Sequence, residues 1–193
     1  MRYYFLFLTV LLGVSFLLLD GAFAANEKTA IFAAGCFWCA EAEFEQTDGV
    51  LDVVSGYTGG DLENPTYKNH RGHLEAVRVT YDANKVSYEK LLEVFWDNHD
   101  PFDEVGQFCD KGKSYRAAIF VLDEKQRKLA EASKQAFQDK TSNDVVTPVL
   151  DAKIFYEAEV YHQDFYKKNS LHYKTYKYNC GREQRLDEIR ESM

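Results

Sequence analysis

The chain has 193 residues, of which 46% are hydrophobic and 15% aromatic, and its formal net charge is -8. That length and composition describe one globular domain with a real core, not a disordered segment. The acidic balance gives no attraction to a phosphate backbone, so no nucleic acid is expected as a partner.

The first element is the N-terminus. Arg2 precedes an apolar run from Tyr3 to Leu19, and a small-x-small site, Ala22-Phe23-Ala24, follows it. This order reads as a secretory signal over residues 1–24, cleaved after Ala24, ahead of a single domain over 25–193. The alternative is an uncleaved anchor, for which the run is somewhat short of the about 20 apolar residues a span needs. A periplasmic or secreted location is expected, with no stable membrane association after processing and a monomeric state. Export would place Cys36, Cys39, Cys109 and Cys180 in an oxidising setting.

Thr29 to Gly35, "TAIFAAG", reads as a buried strand, and a helix is expected from Trp38 to Gln46. "VLDVVSGYTGG" gives a short strand ending in a glycine turn, and Asn64-Pro65 marks a polar loop. "HLEAVRVTYD" alternates as a strand does. Ser87 is a good N-cap for a helix whose apolar face is Leu91, Leu92, Phe95 and Trp96, with Pro101 beyond its end. Asp100 to Ser114 reads as a loop and "YRAAIFVL" as a strand. Asp123 caps a helix running to about Lys140, and "DVVTPVL" is an edge strand because of Pro148. From Ile154 to Met193 a tyrosine-rich helical stretch gives way to an irregular, charged tail. The fold class expected is α/β (α+β): a two-layer sandwich with a mixed β-sheet flanked by helices.

The chemistry concentrates in "AAGCFWCAEAEF", Ala33 to Phe44. Here a strand delivers Gly35 to a turn and Cys36 sits where a helix begins. Unpaired N–H groups at a helix start favour negative charge, which would lower the Cys36 pKa and make it a better thiolate. Position alone leaves two readings open, a nucleophile or a buried small hydrophobe. The C-x-x-C spacing of Cys36 and Cys39 leans towards redox chemistry. There is one such pair and no histidine directly after it, so neither a zinc site nor haem attachment is expected.

"GCFWCAE" (Gly35 to Glu41) resembles the active-site signature of the A-type peptide-methionine sulfoxide reductases, in the branch that carries GCFWC. "GYTGG", "NPTY", "GHLEAVRVTYD", "LLEVFWDNHDP", "GQFCDKGKSYRAAIF" and "YHQDFYKKN" are similar to the same family in the same order. The resemblance implies thiol-dependent reduction of the S epimer of methionine sulfoxide, free or in oxidised proteins, by a catalytic domain over 25–193. It implies that Cys36 is the nucleophile and passes through a sulfenic acid. Glu75 is implied as the general acid, Tyr67 and Tyr115 as donors to the sulfoxide oxygen, and Asp110 as part of their polar network. Phe37 and Trp38 are implied as the pocket for the substrate methyl group.

Cys180 is taken as the resolving thiol, carried to Cys36 by a swinging tail. Cys39, expected to point its sulfur away, and Cys109 remain possible redox partners. No bound cofactor or metal is implied, and electrons are expected from thioredoxin or a thioredoxin-like donor. Two other readings explain the cysteines without explaining Glu75, Tyr67 and Tyr115: a general thiol–disulfide oxidoreductase, and a metal-binding or structural exported domain.

Overall fold

The computed structural model describes residues 26–193. The expected signal over 1–24 lies outside them. The elements in chain order are β1 (Glu27–Ala34), α1 (Phe37–Glu45), β2 (Val50–Thr58), β3 (Leu74–Asp82), α2 (Tyr88–Asp97), β4 (Gly106–Gln107) and β5 (Asp110–Lys111). A single 3-10 turn at Lys113–Tyr115 then leads to β6 (Ala117–Val121), α3 (Glu124–Gln138), β7 (Val149–Asp151) and β8 (Tyr156–Glu157). Three helices finish the chain: α4 (Phe165–Lys168), α5 (Ser170–Asn179) and α6 (Arg182–Glu191). Among the described residues no helix is long and apolar enough to cross a membrane.

The main sheet has the order β7-β6-β1-β3-β2-β8 and is mixed. Its pairs are antiparallel except β6 with β7, which is parallel. The period-two alternation of β1 sorts its side chains cleanly. Ala30, Phe32 and Ala34 face one side and join the large core with α1, α2 and α3. Ile31 and Ala33 face the other, where Leu74, Ala76, Ala118 and Phe120 meet the partly buried Ala152 and Phe155. β7 begins directly after Pro148 and lies at a sheet edge, as the proline requires. Both expected caps form: Ser87 Oγ accepts from the Lys90 N–H at 3.2 Å and Asp123 accepts from the Gln126 N–H at 2.8 Å.

The C-terminal tail corrects the reading from sequence. It is helical, not irregular, because α6 buries Leu186 and Ile189 and anchors its first residue. The buried Arg182 guanidinium donates to the Asn98 carbonyl and lies 4.5 Å over the Phe108 ring. Arg185 Nε donates to Asp100 at 2.7 Å, a bond to a nearly buried carboxylate. Two charge-assisted contacts therefore hold α6 against the 98–108 loop.

Phe32 is the hub of the large core, stacked at 4.9 Å on Phe44 and at 5.3 Å on Phe95. Phe32→Ala is expected to cost about 3–5 kcal/mol, read as a lower midpoint in urea unfolding with an unchanged slope.

Candidate active site

The site begins with a turn only glycine can make. Gly35 has φ +83°, and a Cβ there would lie 2.5 Å from Cβ of Gln107. Gln107 is fixed in turn. Its Oε1 accepts the Asp100 N–H at 2.7 Å and its Nε2 donates to the Asp100 carbonyl at 2.8 Å. The loop carrying Cys109 and Asp110 is thus seated on the turn that presents Cys36.

Cys36 is the N-cap of α1, with φ -54° and ψ 119°, and no side chain of its own caps the helix. The orphan N–H of Phe37 is met from across the sheet instead, donating to Glu75 Oε2 at 3.1 Å. Leu74 and Ala76 point to the far face of the sheet, so alternation along β3 turns Glu75 toward α1. Glu75 is 1% exposed, and burial pushes its pKa up to about 8, with the Asp110 charge adding to the rise. A neutral carboxyl that can give up a proton therefore stands beside Cys36 near pH 7.

Cys36, Phe37, Trp38, Tyr67, Glu75, Asp110, Tyr115 and Tyr176 line one cavity of about 50 Å³. The residues named from sequence as catalytic or substrate-binding all meet there. A larger hollow of about 540 Å³ lies between α2 and α3 and contains no cysteine. The aromatic wall is held from behind. Trp38 Nε1–H donates to His162 Nδ1 at 3.1 Å, which leaves the ring proton of the neutral imidazole on Nε2. The indole also stacks on Phe165 with centroids 3.7 Å apart. Tyr67 follows the Asn64-Pro65 turn, where Asn64 has φ +51°. Its N–H donates to Glu159 Oε1 at 3.0 Å and its ring lies 4.4 Å from His162. Tyr67 and Tyr115 hydrogen-bond each other, and burial raises the pKa of both, so both keep their O–H groups.

Two expectations about the thiols need correction. The helix start does not lower the Cys36 pKa. Burial pushes it well above the ordinary cysteine value, aided by the hydrogen bond its S–H donates to Cys39 and by the charges of Cys39 and Glu75. Cys39 does not point away: its thiol hydrogen-bonds that of Cys36 and is drawn down to about 7, with Arg182 and Lys177 contributing. Cys180 is the C-cap of α5 and is bonded to Cys109, with Cα atoms 4.9 Å apart. Cys109, Asp110 and Cys180 bring their ligand atoms within 4.8 Å of one another, but the two sulfurs are joined, so the group is a disulfide beside a carboxylate and not a metal centre.

Tyr176 and His162 escaped notice in the sequence. The Tyr176 hydroxyl bonds to Asp110 and to the Cys36 thiol. The available signal was spacing: Tyr173, Tyr176 and Cys180 share one face of a helix. His162 lies within the "YHQDFYKKN" block, but nothing local marks it as the partner of an indole 124 positions earlier.

A model of the family described as peptide methionine sulfoxide reductase matches residues 28–193. The peptide methionine sulfoxide reductase MsrA of Bacillus subtilis is 51% identical over 163 residues, covering 81% of this chain and 92% of that protein. Two solved structures are similar. Mxr1 of Saccharomyces cerevisiae in reduced form has a TM-score of 0.71 at 29% identity, over 75% of this chain and 86% of that one. Methionine sulfoxide reductase A of Corynebacterium diphtheriae has a TM-score of 0.67 at 30% identity, over 75% and 76%. Mxr1 in complex with Trx2 also matches, with a TM-score of 0.53 at 22% identity over 72% and 84%, which bears on the fold alone.

The raised Glu75 pKa has a stability sign. An unfolded glutamate ionises near 4.5 and the folded one near 8. The neutral group's contribution is complete below about 4.5 and is lost as pH rises through about 8. Glu75→Gln keeps the oxygen that accepts from Phe37 and has no charge to bury. Its melting temperature is expected to exceed that of the wild type at pH 8–9, by a margin that closes by pH 5.

Proposed function

The chain belongs to the peptide methionine sulfoxide reductase family and is an oxidoreductase that reduces methionine sulfoxide; from that premise we propose that it acts on the S epimer, free or in oxidised proteins, with Cys36 as the nucleophile. The observation that carries this reading is the meeting of a buried thiol, a neutral carboxyl and an aromatic wall in one small cavity. The Cys36 sulfur attacks the sulfoxide sulfur while Glu75 gives its proton to the oxygen, which otherwise leaves poorly. Oxygen passes to Cys36 as a sulfenic acid and methionine departs with its sulfur reduced by two electrons. Tyr67 and Tyr115 donate hydrogen bonds to the oxygen as its charge grows, and fixed O–H groups do this at less cost than water. Asp110 keeps that network in place.

Epimer choice follows from shape. Phe37 and Trp38 hold the methyl group, a contact worth about 1 kcal/mol, and with the methyl fixed only one configuration turns its oxygen toward Glu75 and the tyrosines. The Trp38 indole is held by both His162 and Phe165, which supports a rigid wall.

The oxidising equivalent leaves through Cys180, whose attack on the Cys36 sulfenic acid is followed by exchange with Cys109. The Cys109–Cys180 bond supports this end point, and Cys109 is exposed. An exposed disulfide suits a protein reductant, thioredoxin or a thioredoxin-like donor. The signal over residues 1–24 would take this repair activity to the periplasm or outside the cell, with oxidised exported proteins as substrates and a monomer as the working form.

Single-turnover assays of the reduced 25–193 chain test this. Reduction of the S epimer with at least 100-fold preference over the R epimer is expected, and equal rates would sink the reading. Cys36→Ser should release no methionine. Glu75→Gln should slow the step by about 10²–10⁴-fold. The wild-type rate should fall as pH rises through about 8, where Glu75 loses its proton, and the variant should lack that limb.

A further inference from the structure

Trp38, Glu41 and Glu45 follow one another on α1 at intervals of three and four, so they share one face of that helix. This face meets the corner of the chain that leads into α4. At its start the Trp38 indole is held by its N–H, which His162 Nδ1 accepts at 3.1 Å, and by its face, on which Phe165 stacks at 3.7 Å. At its end Glu45 accepts from the Tyr166 hydroxyl and pairs with Lys167 at 2.6 Å. Between them stands Glu41, 1% exposed, with its Oε2 buried and unpartnered. It does not line the cavity that holds Cys36. A carboxyl buried there costs free energy that an apolar side chain of similar size would not.

What Glu41 meets is the turn that aims both supports of the indole. Asp164 lies between His162 and Phe165 and has φ +54°. That left-handed conformation is unfavourable for a residue with a side chain and persists only where the surroundings hold it. The Asp164 N–H donates to the Glu41 carboxyl, and so does the Ser55 hydroxyl. The preceding residue is tied separately. Gln163 accepts the Ser55 N–H at 2.8 Å and donates to the Ser55 and Ala158 carbonyls at 2.8 and 2.9 Å. The corner is thus fixed to β2 through Gln163 and to α1 through Glu41.

We propose that Glu41 is a positioning residue for substrate selection: by holding the Asp164 turn it sets His162 and Phe165 against Trp38, and so fixes the wall that admits the methyl group of one sulfoxide epimer. This inference rests on the reductase reading above. Glu41 acts through the indole and not on the reacting atoms. Cys36 and Glu75 keep their own spacing through the Phe37 N–H bond, which does not involve the corner. Loss of Glu41 therefore loosens the grip on the methyl group while the proton donor stays beside the thiol. Binding and epimer choice change, and the rate at saturation does not. Burial lifts the Glu41 carboxyl to about 7, so glutamine is a close mimic of its neutral form.

The test compares Glu41→Leu, Glu41→Asp and Glu41→Gln in the reduced 25–193 chain, by single-turnover kinetics on each epimer of methionine sulfoxide and by hydrogen exchange at the indole N–H groups. Glu41→Leu should lower the preference for the S epimer by about tenfold or more. It should raise the half-saturating concentration of that epimer and leave the saturated rate within about threefold of the wild type. Glu41→Gln keeps an acceptor for the Asp164 N–H and should match the wild type. The chain has two tryptophans, and Trp96, bonded to Ser133 Oγ at 3.0 Å, is the internal reference. Glu41→Leu should speed exchange at Trp38 alone, whereas a general loss of stability speeds both. Glu41→Asp, one methylene short, should move in the same direction and decides the matter if Glu41→Leu does not fold. Wild-type epimer preference in the folded variant, equal acceleration at both indoles, or failure of both variants to fold overturns the inference. A folded wild-type chain that releases no methionine overturns the reductase reading itself.

Discussion

The bond from the Phe37 N–H to Glu75 Oε2 is the contact on which the site depends. It joins the first turn of α1 to the middle of β3 and supplies the helix with a cap its own N-cap residue does not provide. Because the acceptor is a buried carboxyl, the same bond fixes the distance between the thiol at the helix start and the proton beside it. A carboxyl so deep would be a liability in an ordinary core. Here its neutral form is held by burial, and the residue lines the cavity with Cys36 and the two tyrosines. Fold stability and reactivity are therefore linked through one atom pair.

Around that pair the molecule arranges two kinds of support. The sheet and α1 to α3 form a rigid floor through Phe32, Phe44 and Phe95. The walls come from segments without much regular structure: the 100–110 loop seated by Gln107, and the 156–163 segment that reaches Tyr67 and Trp38. Loops placed by a rigid scaffold are where reactive groups usually sit. The cost of ordering these loops is offset by buried polar bonds rather than by apolar area.

Much of the scaffold was legible in the sequence because its signals are local. Alternation in β1 and β3, the Ser87 and Asp123 caps and the Pro148 edge strand all follow from a few neighbouring residues. The Cys36 to Trp38 turn was legible for the same reason. What the sequence hid is long-range. Glu75 reads as a surface carboxylate until β3 is known to face α1. The Cys36 pKa was misjudged because a helix start lowers it and burial raises it, and burial depends on α5, far along the chain. The 182–191 helix reads as charged tail because its anchors are few, Leu186 and Ile189 buried and single contacts of Arg182 with Asn98 and Arg185 with Asp100. Cys109 with Cys180 could not be chosen among pairings from spacing alone.

The 156–163 segment has a consequence for how the site comes into being. Its bonds to Tyr67, Tyr57, Ser55 and Trp38 span 92, 102, 108 and 124 positions. A chain emerging from the ribosome presents Cys36, Glu75 and Tyr115 long before Glu159, His162 and Gln163 exist to hold their neighbours. The cavity thus forms only once this segment has docked, and a chain ending near residue 150 would contain the reacting groups without a shaped pocket.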